Sequence, residues 1–266
     1  MSQDKLTLVV HTGGIGDLLL AAPAFGRLAE EGALHLAGRP ERLNLLVAGG
    51  IAREAYNLDV VDFSSIFAEP SEQLAQFVRP YGRAIVWMRD DDGRIVGTLR
   101  GLGVEAEAFP GLPPADWSGH ASDYYFECLG FEPDPSPFRL EIPAVAGYDV
   151  IIHPGSGSPR KNLPLDRFVE FAKLLESHGR QVAWSVGPAE EGFALPEGPR
   201  LAQLPLPELA AYLAGAQLFI GNDSGITHLA AVVGCPTIAY FGPTDPTVWA
   251  PRGQHVEVRR FKNSTG

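Results

Sequence analysis

The stretch Phe219-Ile220-Gly221-Asn222-Asp223-Ser224-Gly225-Ile226-Thr227-His228-Leu229 decides how this chain is read. Residues 217–220 form a short apolar run, 222–225 a small polar loop and 226–233 an apolar helical pattern, so a strand hands a loop to a helix. Asp223 and Ser224 are residue types that cap helices, and Gly225 lets a ligand approach the backbone closely. The N–H groups of the first turn, backed by the helix dipole, suit a phosphate. Ordinary capping by Asp223 and Ser224 accounts for the same residues, and on composition alone both readings stand.

Working outward, apolar runs alternate with helical patterns along the whole chain, which predicts parallel α/β sheets with helices on both faces. In the first part, strands are predicted over 6–11, 34–37, 60–63 and 84–88, with helices near 21–31, 41–47 and 71–78 and a closing helix over 117–129. Pro133, Pro135, Pro137 and Pro143 then make 130–147 the linker candidate, because prolines remove ladder donors and favour extended chain. The second part is expected to carry strands over 149–153, 181–186, 217–220 and 237–241, with helices over 165–177 and 207–214. Two domains follow, 1–147 and 148–266, each a doubly wound Rossmann-like α/β unit.

A chain of 266 residues that is 45% hydrophobic and 20% charged has enough apolar content for two cores. Cys128 and Cys235 lie far apart without C-x-x-C spacing, which argues against a disulfide framework or a zinc site. Residues 1–5 lead into a strand with no basic segment and apolar core, and the apolar stretches near 18–25 and 229–241 are too short or too broken to span a bilayer. The expectation is a soluble cytoplasmic protein whose contact with a membrane surface would be transient. The net charge of −11 is lopsided: residues 1–148 carry 11 Lys and Arg against 21 Asp and Glu, and 149–266 carry 10 against 11. Such a balance disfavours nucleic acid as a partner.

Three further loops could carry chemistry. Gly13-Gly14-Ile15-Gly16-Asp17 follows the first strand, at the carboxyl edge of a parallel sheet, but position 19 is leucine and the dinucleotide fingerprint fails. Asp17 is a carboxylate beside a helix N-terminus, with helix capping as its plain explanation. His153-Pro154-Gly155-Ser156-Gly157-Ser158-Pro159-Arg160-Lys161 sets small residues beside two cations, yet Lys161 lacks the flanking residues of a P-loop. Asp90-Asp91-Asp92 has the look of a metal-holding D-x-D, although the following Gly93 favours a solvated turn.

The segment 222–228, with Tyr240-Phe241-Gly242-Pro243-Thr244-Asp245-Pro246 after it, resembles the donor-site signature of the ADP-heptose:lipopolysaccharide heptosyltransferases, an inverting glycosyltransferase family. The loops at 13–19 and 153–164 match in the family's order, so the resemblance spans roughly residues 5–250. It implies the GT-B arrangement of two Rossmann-like domains facing across a cleft, no cofactor and no metal. It also implies a nucleotide-diphospho-sugar donor, ADP-heptose in the family, and a glycan or lipid-linked acceptor.

By the same resemblance Asp17 is the general base, in a loop near the acceptor with Gly14 and Gly16. Lys161 meets the departing diphosphate, with Ser158 in the same loop. Ser224, Gly225 and His228 assist at that diphosphate, and Asp223 serves the sugar or the loop's scaffold. Glu190 or its neighbour Glu191 bonds the ribose. Two departures stand out. Only residues 247–266 follow the Gly-Pro-Thr motif, too few for the family's returning helix, and the stretch 17–149 is short. A non-catalytic nucleotide-sugar-binding protein is therefore the alternative.

Overall fold

Strands buried on both faces organise each half of the molecule, as the uninterrupted Val, Leu and Ile runs require of parallel sheets. The computed structural model describes residues 6–262. These fall into two units divided between Pro133 and Asp134. Residues 1–5, read above for the absence of a leader, lie outside the described residues.

The first unit contains β1 (Thr7–His11), α1 (Ile15–Ala29), β2 (Leu34–Gly38), α2 (Pro40–Ala48), β3 (Glu54–Asn57), α3 (Glu72–Val78), β4 (Arg83–Trp87), α4 (Arg94–Gly101), β5 (Glu105–Phe109) and α5 (Ala121–Cys128). Its five parallel strands run in the order β3-β2-β1-β4-β5. Leu8, Val10, Ala84 and Val86 of the central strands pack with Leu74, Val78, Ile95 and Leu99 in one core cluster. On the opposite face Phe25 of α1 and Tyr125 of α5 meet Trp87.

The second unit contains β6 (Val150–His153), α6 (Leu165–Ser177), β7 (Val182–Val186), β8 (Arg200–Ala202), α7 (Leu206–Gly215), β9 (Leu218–Asn222), α8 (Gly225–Val232), β10 (Thr237–Phe241), α9 (Pro246–Trp249) and β11 (Val256–Arg260). Its six parallel strands run β11-β10-β9-β6-β7-β8. Numbered within the unit this is 3-2-1-4-5-6 read from β8, the doubly wound order of dinucleotide-binding sheets.

Several expectations need correction. The apolar run at 60–63 is no strand: Asp62 sits at φ 50°, and Phe63–Phe67 is a 3₁₀ turn that sends Val61, Phe63 and Ile66 into the core. The third strand lies earlier, at Glu54–Asn57. The first helix begins at Ile15, not near 21, because Gly14 and Asp17 cap it there. Asp90 is more than a solvated turn. Its carboxylate oxygens accept from Ile95 N (2.8 Å) and Val96 N (3.0 Å), opening α4, a helix the pattern did not suggest.

The division between units falls inside the proline-rich segment 130–147, near its start. Leu140 N donates to Val232 O (2.8 Å) and Val145 N to Ala211 O (2.9 Å), so the later part of this segment is tied to the second unit at two points.

Candidate functional site

The second sheet reverses its strand order between β6 and β9. Loops leaving the carboxyl ends of two such strands diverge to opposite faces and leave room for a ligand. The loops concerned are those at 154–164 and 223–224.

Asn222 ends β9 fully buried, and its side chain joins the two ends of the loop after β6. Asn222 Nδ2 donates to Pro154 O (2.7 Å), and Leu163 N donates to Asn222 Oδ1 (2.9 Å). Within the loop, Ser156 Oγ lies within hydrogen-bonding distance of Asn162 Oδ1 (2.6 Å) and Ser158 O (2.8 Å), which share its one proton, and Lys161 N donates to Ser158 O (2.9 Å). Ser158 thus fixes the single turn Pro159–Lys161 through its carbonyl, and its side chain caps nothing.

This turn delivers Lys161 to the next loop. Lys161 Nζ lies 2.8 Å from Asp223 Oδ2, and Thr244 Oγ1 donates to the same oxygen at 2.6 Å. Asp223 is 6% exposed, so it is a buried carboxylate held by a cation and a hydroxyl from two other loops. Ser224 caps α8, accepting from Thr227 N (3.3 Å), while Thr227 Oγ1 donates to Asn222 O. Gly225 and Ile226 open the helix, where N–H groups lack intrahelical partners. His228 is buried one turn in. The sequence-predicted residues Lys161, Asp223, Ser224, Gly225 and His228 therefore gather at the β6 and β9 loops.

Glu190, one of the two glutamates expected at the ribose, is buried in the turn after β7. Glu190 Oε2 accepts from Gly187 N (2.6 Å) in its own turn, and the residue is 2% exposed. Its Oε1 has no hydrogen-bond partner and lies 3.5 Å from His153 Nε2. His153 Nδ1 donates to Ser185 O (3.1 Å), so Nε2 is the nitrogen turned to the carboxyl group. Burial holds the His153 pKa below its ordinary value, against the opposing pull of Glu190 and of the Ser185 carbonyl. Glu191 is exposed.

In the first unit Asp17 is half-buried, and its Oδ2 accepts from Gly14 N at 2.8 Å in a capping arrangement. Arg42 of α2 donates to Gly13 O (2.6 Å), bracing the loop from the far side. Gly14 is the N-cap of α1 and Gly16 lies in its first turn. His11, ending β1 beneath this loop, is 2% exposed, with Nε2 unpaired. Burial, aided by Arg42, lowers its pKa to about 4.

Asn222, Thr244 and His153 carry structural tasks that the sequence reading did not give them. Thr244 lay inside the quoted Gly-Pro-Thr segment, but nothing in its spacing indicates that it meets Asp223. Among the described residues no three His, Cys, Asp or Glu side chains gather as a group that could hold a metal ion. No helix among them is long and apolar enough to cross a membrane.

The sequence pattern of glycosyltransferase family 9 (heptosyltransferase) matches residues 138–265. Lipopolysaccharide heptosyltransferase 3 of Escherichia coli K12 is 30% identical over 129 residues, 44% of this chain and 38% of that protein. Lipopolysaccharide heptosyltransferase 1 of the same strain is 32% identical over 133 residues, 46% of this chain and 41% of that protein. The matched stretch thus spans about two fifths of the length of these curated relatives. Among solved structures, the fold is similar to that of E. coli ADP-heptose lipopolysaccharide heptosyltransferase II (TM-score 0.79, 18% identity, covering 98% of this chain and 91% of that one). It is also similar to that of an E. coli heptosyltransferase solved with ADP (TM-score 0.69, 19% identity, 96% and 93%).

Proposed function

Since the chain belongs, through residues 138–265, to glycosyltransferase family 9 (heptosyltransferase), we propose that it is an inverting glycosyltransferase. Its donor is a nucleotide-diphospho-sugar, ADP-heptose by kinship, and its acceptor a hydroxyl on a glycan or lipopolysaccharide-type molecule, met in the cytoplasm. The observation that carries this reading is the placement of Lys161 beside the capped start of α8, at the strand-order reversal of a doubly wound sheet.

In the proposed reaction the acceptor hydroxyl gives its proton to the Asp17 carboxylate as its oxygen bonds to the anomeric carbon. The bond from that carbon to the diphosphate oxygen breaks, and the electron pair leaves on the nucleoside diphosphate. Lys161 and the first-turn N–H groups of α8 stabilise the charge that grows there, which favours the transition state over the ground state. The lysine and the helix terminus supply this positive potential, so the reaction as proposed runs without a metal ion. Ser224 holds the helix start in shape, and His228 sits buried within the same helix.

The test is donor binding followed by turnover. ADP and ADP-heptose at about 100 times Kd should each stabilise the protein by roughly 2.7 kcal/mol, UDP and GDP less. Release of ADP in the presence of a heptose-accepting glycan, undiminished by EDTA, is the expected result. Binding with neither transfer nor donor hydrolysis would make the chain a nucleotide-sugar-binding protein. A strict requirement for manganese would overturn the metal-free mechanism.

A further inference from the structure

We propose that Asp223 and Thr244 are positioning residues for Lys161: Asp223 aims the ammonium at the leaving diphosphate and Thr244 aims Asp223. The proposal rests on the donor-site reading above and gives the Asp223 carboxylate a cation to hold, where the sequence left it to the sugar or to the loop's scaffold.

The geometry points this way for three reasons. Lysine is a point charge on a flexible four-carbon stem, and the Lys161 side chain is 33% exposed, so something must hold it if it is to act from a fixed place. Asp223 Oδ2 does so at 2.8 Å. A carboxylate that is 6% exposed is costly unless paired, and it would repel a diphosphate if it faced one bare. Pairing with Lys161 answers both difficulties.

Finally, Thr244 Oγ1 donates to the same Oδ2 at 2.6 Å, so two donors from different loops converge on one oxygen and fix the carboxylate's direction. Lys161 follows β6, Asp223 follows β9 and Thr244 follows β10. The carboxylate is the point at which three strand ends are tied. An ammonium has three N–H donors, and giving one to Asp223 leaves two for phosphate oxygens.

The experiment compares the wild-type chain with Asp223→Asn, Thr244→Val and the double variant, using ADP, ADP-heptose and turnover. If Asp223 positions Lys161, Asp223→Asn lowers kcat about 100-fold, the scale of a misplacement near 1 Å. ADP and ADP-heptose are then bound as well as before or more tightly, because a negative charge has gone while both ligands keep their other contacts. Thr244→Val lowers kcat about tenfold, the weight of a hydrogen bond to a charged group. The double variant is no worse than Asp223→Asn, since Thr244 acts through Asp223.

Two binding results would overturn the proposal. Weakened ADP-heptose binding with unchanged ADP binding would place Asp223 on the sugar. Weakened binding of both ligands with a lowered Tm would reduce it to scaffold.

A readout without any nucleotide separates this proposal from the functional reading. In protein labelled with ¹⁵N-lysine, the Lys161 ammonium should give a slowly exchanging signal that Thr244→Val weakens and Asp223→Asn removes. Persistence of that signal in Asp223→Asn refutes the positioning role even if the wild type transfers sugar. Its loss supports the role even if the wild type binds no donor.

Discussion

A Cβ on residue 155 would collide with Glu190 Oε1, so Gly155 in the loop after β6 and the buried Glu190 carboxylate are fitted against each other with glycine as the contact. Gly155→Ala should therefore destabilise the second unit by about 1–3 kcal/mol, the usual cost of overpacking. In a Glu190→Ala background that cost should largely disappear, because the obstructing oxygen has gone. Urea unfolding of the four proteins gives the comparison. An equal cost in both backgrounds would refute the packing argument.

Asn222 satisfies one carbonyl and one N–H at opposite ends of the same loop. Asn222→Ala leaves both without their partner, and two lost buried bonds amount to about 2–4 kcal/mol. The loop that carries Lys161 should loosen with them. Donor affinity measured by calorimetry should fall together with Tm, and a fall in Tm alone would separate the loop's order from binding.

His11 should make stability fall in acid. Its pKa is about 4 in the folded protein, against 6.5 for an unperturbed histidine. Between those values the unfolded chain binds a proton that the folded chain refuses, so stability is full above pH 6.5 and is lost as pH drops toward 4. The loss amounts to about 3 kcal/mol at the acid end, from 1.36 kcal/mol per pKa unit. His11→Phe, which keeps a ring beside Phe25 and Tyr125, should show a flatter Tm against pH over that window. Parallel curves for the two proteins would assign the acid loss to other groups, His153 first among them, since burial lowers its pKa too.

Asp17→Asn keeps an oxygen to accept from Gly14 N, so the start of α1 should survive the change. As the proposed base it should cost all measurable turnover while ADP-heptose affinity stays near that of the wild type. Substantial turnover in the Asn variant would leave Asp17 with its capping task alone.

The interior strands of both sheets were legible because their residues are apolar on both faces: Leu8, Val9 and Val10 in β1, Ile151 and Ile152 in β6. The four edge strands were not. Glu105-Ala106-Glu107-Ala108-Phe109 puts two glutamates and two alanines in β5, and Glu107 reaches back to Arg83 at 2.6 Å. Val256-Glu257-Val258-Arg259-Arg260 is as charged in β11, and β8 is only three residues long. Charged and short edges guard a sheet against further pairing, and the same choice hides them from a reading based on hydrophobicity.

The fourth edge strand, β3, was misplaced for a related reason. The apolar run at 60–63 outweighed Glu54-Ala55-Tyr56-Asn57, until the backbone turn at Asp62 broke it. At the site, the cap at Ser224 was visible from residue chemistry and local order, whereas Lys161 was singled out by resemblance alone. The bond from Lys161 to Asp223 was not visible, because it joins loops from two strands far apart in the chain.

The Asn222 carboxamide acts on the loop at 154–163 as a clasp acts on a necklace. One planar group sets the spacing of the two ends, so whatever is strung between Pro154 and Leu163 starts and finishes at the same points. Positions 157, 159 and 160 are exposed, so their side chains can be exchanged without disturbing the sheet beneath, while Ser158 keeps the turn that delivers Lys161. A protein engineer seeking a different donor preference would find there a cassette with fixed terminals, and would do well to leave Asn222 untouched.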